Sequence, residues 1–431
     1  VCRPGNVSTE PYDGPTKPGE ATSGVTHTGD MGRVQVRRAY KFRAYPTRPQ
    51  EGRAMRLLAD HCDLYNAALE ERRQAWGMSH VSVSYGMQSA QLKEIRRADP
   101  DGQGRHSFTA QQQTLRRLDT VFRVFFDRAR AGRTKPGYPR FKPYSRFDQV
   151  RFVDGDGARW SPAAGGGWAR AYFQAAGSVK VRQHRSVRGT VTALQLKREG
   201  RRWYVIVIAE TDPVPLPAAG REVGVDVGVA RFLTTSDGEI VANPRFLAAS
   251  AEVIADLQRR KARAKPGSGN RARIRRALAR EWRKIRNRRR DFHHKTARAL
   301  VRECDVVALE GLNTAGMTRR PAPKPDPERP GAFFPNQAAA KAGLNKSILD
   351  AGWSQFTSIL ASKAEEAGRR VVFVNPAGTS ITCHQCGRRC ARPQRKTVIC
   401  PVHGQMDADV NGARNIYARA GLGSGQAAGA A

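Results

Sequence analysis

Three carboxylates occupy positions from which they could project toward one shared site. Asp226 lies in the strand-like segment VGVDVGVA, Glu310 ends the apolar run VVALE, and Asp409 opens the helical segment DVNGARNIYARAG. Carboxylate oxygens are the ligands that Mg²⁺ and Mn²⁺ prefer, so three acids from separate elements could hold such ions. Two bound ions can activate water and stabilise the leaving oxygen of a phosphodiester. The three acids therefore predict metal-dependent phosphodiester hydrolysis.

The residues next to Asp226 favour this interpretation. Side chains alternate along a strand, so Val223, Val225 and Val227 would share one face. Asp226 would then lie between two glycines on the other face. We expect these glycines to leave open space around the carboxylate, which a metal ion and a phosphate require.

Each acid also has an ordinary structural explanation. Asp226 could cap a turn, Glu310 could pair with an arginine, and Asp409 could be a helix N-cap. Asp407 is a fourth eligible carboxylate, because the segment DAD offers two. We prefer Asp409, because a helix start supports its charge and gives its side chain a fixed direction.

Four of the seven cysteines crowd into one segment, which is typical of a metal site in a reducing compartment and not of a disulfide framework. Cys383-x-x-Cys386 and, after a basic hairpin, Cys400-x-x-His403 have the spacing of two zinc knuckles. Four protein ligands would close a tetrahedral Zn²⁺ site, which predicts a structural ion. Cys390 is a further thiol that could replace His403, and cysteines without metal are the alternative.

The overall charge predicts a polyanionic partner. The 431 residues include 75 Lys and Arg against 38 acids, a formal net charge of +37. Nucleic acid fits this excess, because each phosphate contact releases counterions. A solvated basic surface or an anionic membrane is the alternative. Without a membrane-spanning apolar run or a signal-peptide pattern, we expect a cytoplasmic, nucleoid-associated protein.

Basic residues interleaved with aromatic residues are the candidate contacts to nucleic acid. Residues 33–46 alternate apolar and basic side chains, and residues 132–152 add rings that could stack on bases. The second segment could equally be a loop packed on a sheet. The candidates are Lys41, Arg43, Tyr138, Arg140, Lys142, Arg288 and Arg289. For Asp291, His293 and His294 we predict a role in orienting a basic helix and not in catalysis.

The order of predicted elements suggests how these residues are positioned. Strand, helices and further strands indicate a β-barrel with a helical insertion. From residue 221, a strand hairpin, helix, strand, helix, strand and helix follow, which is the order of an RNase H-like α/β sheet. The predicted helices cover 55–76, 109–131, 245–300 with a break near Pro266, 346–369 and 409–421, and the predicted strands include 33–46, 177–210 and 370–376.

Together these residues resemble the TnpB family, transposon-encoded relatives of the type V CRISPR effector nucleases. The resemblance covers nearly all of the chain from 34 to 420, in the family's order. The matching segments are YKFRAYPTRPQ, YPRFKPYSRF, GVDVGVARFLTTSDG, IRNRRRDFHHKTARALV, VVALEGLNTAGM, AAKAGLNKSILDAGW, VNPAGTSITCHQCG and DADVNGARNI.

The resemblance implies a RuvC-like nuclease domain over 220–420, with its three acids at Asp226, Glu310 and Asp409. A zinc ribbon over 380–405 would be inserted before the third acid. The family's second knuckle is usually Cys-x-x-Cys, and this chain has histidine at the last position. Zinc tolerates that exchange, so we expect the ribbon to fold.

The resemblance also implies an architecture for the first half of the chain. A wedge-like β-barrel over 31–50 and 132–215 would carry a helical recognition insertion over 51–131. We expect residues 1–30 to be a disordered extension and residues 421–431 a flexible tail, because both lack a periodic apolar pattern.

By family, such proteins bind an RNA from the transposon end and cut DNA that pairs with it beside a short motif. The resemblance thus implies an RNA-guided DNA endonuclease with guide RNA and target DNA as partners, and with Mg²⁺ (or Mn²⁺) and Zn²⁺ as cofactors. One alternative is a transposase acting on transposon ends, although no helix-turn-helix unit is apparent. The others are a non-enzymatic nucleic-acid-binding regulator and a CRISPR effector.

Overall fold

The computed structural model describes residues 35–132 and 136–423. These residues belong to one compact unit that begins at Gln35. The disorder predicted for residues 1–30 lies outside the described residues, as does the predicted tail from residue 424 onward. Across the described ranges, no helix is long and apolar enough to cross a bilayer.

Seven strands in the first half of the chain close into a barrel, which confirms the barrel predicted from the sequence. Its neighbouring strands follow the order β1-β5-β4-β3-β2-β6-β7, and β7 pairs back with β1. Side chains alternate between a buried interior, with Phe42, Phe152 and Val205, and the outer surface. The strands are β1 (Val36–Tyr45), β2 (Gln149–Asp154), β3 (Gly157–Ser161), β4 (Gly167–Phe173), β5 (Gly177–Gln183), β6 (Thr190–Glu199) and β7 (Arg202–Thr211).

Three helices are inserted between β1 and β2, namely α1 (Arg48–Ser79), α2 (Tyr85–Ala98) and α3 (Phe108–Arg130). A capping box starts α1, because the Thr47 hydroxyl accepts from the Gln50 N–H and the Gln50 side chain accepts from the Thr47 N–H. Buried leucines of α1 and α3 belong to the same apolar core as the barrel interior.

A second, five-stranded sheet has the order β10-β9-β8-β11-β14. Strand β9 is antiparallel to its two neighbours, β10 and β8, while β8, β11 and β14 run parallel. The carboxyl ends of these parallel strands therefore meet at one edge. The five strands are β8 (Glu222–Val227), β9 (Arg231–Thr235), β10 (Ile240–Ala242), β11 (Val306–Glu310) and β14 (Arg370–Val374). A separate two-stranded sheet consists of β12 (Lys324–Pro325) and β13 (Phe333–Phe334).

Helices cover both faces of this sheet, which confirms the predicted α/β class. Apolar side chains of α5 and α8, among them Leu300 and Phe356, pack with the three valines of β8. Ile416 of α9 packs with Ala308 on the opposite face. The helices are α4 (Ala251–Arg263), α5 (Gly269–Glu303), α6 (Thr314–Met317), α7 (Ala338–Ala351), α8 (Trp353–Glu366) and α9 (Ala408–Arg419).

The single helix predicted over 346–369 is wrong, because α7 and α8 are separate helices. Gly352 between them has a φ of +67°, in the left-handed region that ends a helix. A Cβ at this position would lie 3.1 Å from atoms of both Arg289 and His293. The chain therefore turns here because it packs closely against α5.

A three-stranded ribbon stands between β14 and α9. It consists of β15 (Ala391–Gln394), β16 (Thr397–Cys400) and β17 (Gly404–Asp407), all antiparallel. Because β17 leads directly into α9, the ribbon adjoins the helix that carries Asp409. The domain boundaries predicted from the sequence stay predictions.

Candidate active site and metal centre

The strand register brings two of the predicted acids together. Val225 lies opposite Leu309 in the parallel pair β8 and β11, so the next residue of each strand, Asp226 and Glu310, emerges at the same edge. Asp409 lies in the first turn of α9, which packs across β8. The structure thus brings three residues from distant parts of the chain to one end of the sheet.

The expectation that glycines leave open space around Asp226 is wrong. A Cβ on Gly224 would lie 2.3 Å from the Ala413 oxygen and 2.6 Å from the Tyr417 nitrogen, both in the backbone of α9. A Cβ on Gly412 would lie 3.2 Å from the Asp226 carboxylate. The glycines therefore allow the helix to approach the strand closely, which holds α9 against the carboxylate.

All three acids have a pKa above the ordinary value of a carboxyl group. Burial raises the pKa of Asp226 to about 8, and the nearby Glu310 and Asp409 carboxylates add to this rise. Burial also raises the pKa of Glu310 and, together with Asp407, that of Asp409. Half-buried carboxylates that lie beside one another are suited to share a divalent cation.

Asp407 has a different role from its neighbour. Its carboxylate accepts hydrogen bonds from the backbone N–H groups of Asp409 and Val410, at 3.0 and 3.1 Å, and so caps α9. Arg231 of β9 donates to both Asp407 oxygens and lies 3.4 Å from an Asp409 oxygen. Despite burial, these donors hold the pKa of Asp407 below its ordinary value. The geometry thus gives Asp407 the capping role and leaves Asp409 directed toward the cluster.

Two arginines of the ribbon, Arg392 and Arg395, favour the charged form of the nearby acids. Arg392 opposes the rise in the pKa of Asp226, and Arg392 and Arg395 both oppose the rise at Asp409. Neither forms an ion pair within the described residues. Neither these arginines nor Arg231 lies in a motif that predicts a metal site. For the two ribbon arginines, the basic turn RPQRK is the signal in the sequence.

The cysteine segment assembles four candidate zinc ligands. The donor atoms of Cys383, Cys386, Cys400 and His403 all lie within 4.8 Å of one another. The Cys386 and Cys400 sulfurs are 3.6 Å apart, close to the roughly 3.8 Å that Zn–S bonds of about 2.3 Å give in a tetrahedron. Cys390 is buried nearby but lies outside this group. The donor set and spacing therefore fit Zn²⁺.

Lys41 and Arg43 lie on the outer surface of the barrel. The Lys41 Nζ is 2.5 Å from a Glu199 oxygen and 4.1 Å from the centre of the Tyr204 ring. The Arg43 guanidinium lies 5.4 Å from the ring centres of both Tyr45 and Tyr204. The Lys41 charge is thus compensated within the protein, whereas Arg43 forms no ion pair among the described residues.

Arg43 is part of a row that crosses four strands. Tyr204, Arg43, Arg182 and Trp168 are register partners on β7, β1, β5 and β4. The Arg182 guanidinium lies 5.7 Å from the centre of the Trp168 ring, which is 55% exposed and meets Tyr45 edge-on at 5.2 Å. The row cannot be recognised in the sequence, because only the sheet register brings its members together.

The candidates after α3 divide between packing and exposure. Tyr138 packs edge-on against Phe122, with ring centres 5.7 Å apart, and is 41% exposed. The Lys142 ammonium lies 4.4 Å from the Tyr65 ring, and burial lowers its pKa to about 8. Arg140 is exposed. Part of this segment therefore packs as a loop, through Tyr138 and Lys142, and part of it is a basic surface, at Arg140.

On α5, two neighbouring arginines differ. Arg288 is exposed, whereas Arg289 forms an ion pair with Asp350 of α7 at 2.5 Å. The imidazole of His293 is fully buried, and its Nε2 donates to the Ala351 oxygen at 2.9 Å. These contacts support the predicted structural role of His293.

Three family models match parts of the chain. One described as "Probable transposase" matches residues 205–320, and a Cas12f1-like TNB domain matches residues 353–416. A helix-turn-helix domain model matches residues 31–80. In the described part of that range, however, β1 is followed by α1 as one uninterrupted helix. The structure therefore does not have two helices separated by a turn there.

Two relatives match nearly the whole chain. A protein of Streptomyces pristinaespiralis named "Putative RNA-guided DNA endonuclease" is 31% identical, over 90% of both chains. The Escherichia coli K12 protein "Putative RNA-guided DNA endonuclease InsQ" is 30% identical, over 88% of this chain and 91% of its own. The structure of a Cas12f1–sgRNA–target DNA complex has a similar fold, with a TM-score of 0.56 and 13% identity, over 89% of this chain and 98% of that one. The chain belongs to the TnpB family.

Proposed function

We propose that the protein is an RNA-guided, metal-dependent DNA endonuclease encoded by a transposon. The observation that carries this proposal is the meeting of Asp226, Glu310 and Asp409 at the carboxyl edge of a mixed sheet. Both near-full-length relatives bear the name of an RNA-guided DNA endonuclease, which supports the same activity.

The five-stranded sheet and its helices act as an RNase H/RuvC-like nuclease domain over 220–420. A hairpin followed by two parallel strands is the strand order of that fold, and it supports this assignment. Asp226, Glu310 and Asp409 hold Mg²⁺ or Mn²⁺. Such ions supply Lewis acidity and an activated water for phosphodiester hydrolysis. The protein contributes the fixed directions of three carboxylates whose mutual repulsion a cation relieves.

The cysteine and histidine group holds a structural Zn²⁺. Four protein donors leave no position for a substrate, so this ion stabilises the ribbon and takes no part in the reaction. Hydrogen bonds from the backbone N–H groups of His403 and Val402 keep the pKa of Cys400 below its ordinary value despite burial, which favours the thiolate that zinc requires. The ribbon in turn leads into α9 and Asp409.

The remaining parts bind the guide RNA and the target DNA. The barrel over 31–50 and 132–215 is a wedge-like domain, and the helices over 51–131 are a recognition insertion. The row of half-buried Arg43 and exposed Arg182 and Trp168 supports nucleic-acid binding, because guanidinium groups without an ion pair suit phosphates and an exposed ring suits an unpaired base. Arg140 and Arg288 add exposed positive charge.

The proposal is tested by purifying the protein from cells that carry the transposon end and sequencing the RNA that accompanies it. We expect one abundant RNA with a variable end, and Mg²⁺-dependent cleavage of DNA that matches this end. Asp226→Ala should reduce cleavage by about 10³-fold or more and leave RNA affinity within about twofold.

Asp291→Ala, which removes an exposed carboxylate paired with Lys295, is the matched control and should cleave normally. Random RNA and no guided cleavage by the unaltered protein would contradict the proposed function. Joining of transposon ends without an RNA would indicate a transposase instead.

A further inference from the structure

The Glu310 carboxylate has one hydrogen-bond donor among the described residues, the hydroxyl of Thr379. Thr379 is 3% exposed and lies in the loop between β14 and the first zinc knuckle. Its hydroxyl proton has a second acceptor, the Pro376 oxygen at 3.0 Å. A charged carboxylate accepts the stronger hydrogen bond, so the proton is directed to Glu310.

Side chains of α9 hold this loop in place. The Asn415 amide donates to the backbone oxygens of Thr379 and Thr382, at 2.8 and 2.6 Å. The Asn411 amide donates to the Thr382 oxygen at 2.8 Å. Both asparagines are buried, and their spacing of four residues puts them on one face of the helix.

The helix that carries Asp409 therefore also sets the position of the group that contacts Glu310. Asn415 fixes the Thr379 backbone, and the Thr379 hydroxyl fixes one Glu310 oxygen, Oε1. This leaves the other oxygen, Oε2, without a hydrogen bond among the described residues. A carboxylate held in this way presents one oxygen in a defined direction, as a metal ligand must.

We propose that Thr379 is a positioning residue that orients Glu310 for metal binding, with Asn415 holding Thr379 in register with Asp409. This inference rests on the proposed function, because it assumes that Glu310 is a metal ligand. The inference extends the proposed function to Thr379, which lies outside the three carboxylates. It assigns a positioning role to the loop between β14 and the ribbon. Loss of a residue that hydrogen-bonds to a metal ligand typically lowers metal affinity by about 10–100-fold.

The test compares Thr379→Ser with Thr379→Ala. Both variants lack the threonine methyl group, and they differ only in the hydroxyl. With zinc-saturated protein–RNA complex, Mn²⁺ binding is titrated by electron paramagnetic resonance, and the Mg²⁺ concentration for half-maximal cleavage is measured separately. We expect Thr379→Ala to weaken Mn²⁺ binding about tenfold or more and to raise the Mg²⁺ requirement similarly.

Thr379→Ser should stay within about threefold of the unaltered protein in both measurements. Thr120→Ala, which removes an exposed hydroxyl from α3, is the control for general effects and should change neither. Urea unfolding of each variant establishes that the compared proteins are folded.

Two outcomes would overturn the inference in different ways. If the unaltered protein cleaves guided DNA and binds Mn²⁺ but the serine and alanine variants behave alike, Thr379 does not position Glu310 and the proposed function stands. If the unaltered protein neither cleaves nor binds Mn²⁺, the proposed function fails and the inference fails with it.

Discussion

At the scale of single residues, Asp226 is placed unfavourably for stability but favourably for binding a metal ion. Its carboxylate is half-buried beside two other acids, and its pKa is raised to about 8. A protein that only needed stability would place an apolar or paired side chain there, because an uncompensated buried charge is costly. The cost is understandable where a cation completes the site.

We predict that replacing Asp226 by asparagine stabilises the protein at alkaline pH in the absence of Mg²⁺. A carboxyl whose folded pKa lies above its unfolded value keeps its proton in the folded state after the unfolded chain has released it. Stability therefore falls as the pH rises from about 4 toward about 8. In the unaltered protein, the free energy of unfolding should decrease between pH 6 and pH 8. Asp226→Asn should remove about 1–2 kcal/mol of this decrease.

Urea unfolding of zinc-saturated protein at the two pH values measures this difference. Asp291→Asn, at an exposed carboxylate, is the control and should keep the pH dependence of the unaltered protein. If Asp226→Asn also had the pH dependence of the unaltered protein, Asp226 would have an ordinary pKa in the folded protein.

At the scale of elements, α9 organises the site. It carries Asp409, begins at the Asp407 cap, and holds the Thr379 loop through its asparagines. It can do this only because it lies against β8 at the distance that Gly224 permits. Ribbon, helix and strand therefore act together in directing the acids.

Gly224→Ala should disrupt this packing. The added methyl would meet two backbone atoms of α9 at 2.3 and 2.6 Å, and backbone cannot move aside as a flexible side chain can. We expect a loss of about 2–3 kcal/mol in the free energy of unfolding, and loss of guided cleavage because Asp409 moves with the helix.

Gly343→Ala in α7 is the matched control, since no atom lies within 4 Å of the added methyl. It should be neutral or stabilise by up to about 1 kcal/mol. Denaturant unfolding and cleavage assays measure both variants. Normal cleavage by Gly224→Ala would mean that α9 is not held by this contact.

At the scale of the whole molecule, the charge of +37 predicts binding that depends steeply on salt. Bound phosphates release counterions, so RNA affinity should fall by about 10³-fold or more between 50 and 200 mM salt. Arg170 on β4 is exposed and forms no ion pair within the described residues. Arg170→Gln should lower the slope of log affinity against log salt by about 1.

Lys295→Gln provides the control, because Lys295 is exposed but paired with Asp291. Filter binding at several salt concentrations measures the slopes. A nearly flat dependence for the unaltered protein would contradict the electrostatic interpretation, and equal slopes for both variants would contradict a contact at Arg170.

The sequence by itself determined the chemistry that the chain can offer. The Cys-x-x-Cys and Cys-x-x-His spacings, the net charge and the helical and strand periodicities are local, so they can be recognised without a fold. They were sufficient for the barrel, the α/β class and the grouping of Cys383, Cys386, Cys400 and His403.

Tertiary structure decided what distant residues do to one another. The glycine at 224 appeared to create space and instead admits a helix, because its neighbour is 189 positions away at Ala413. Capping by Asp407, the Thr379 contact to Glu310 and the break at Gly352 likewise depend on partners from other elements. Such contacts follow from strand register and helix packing, which no local pattern specifies.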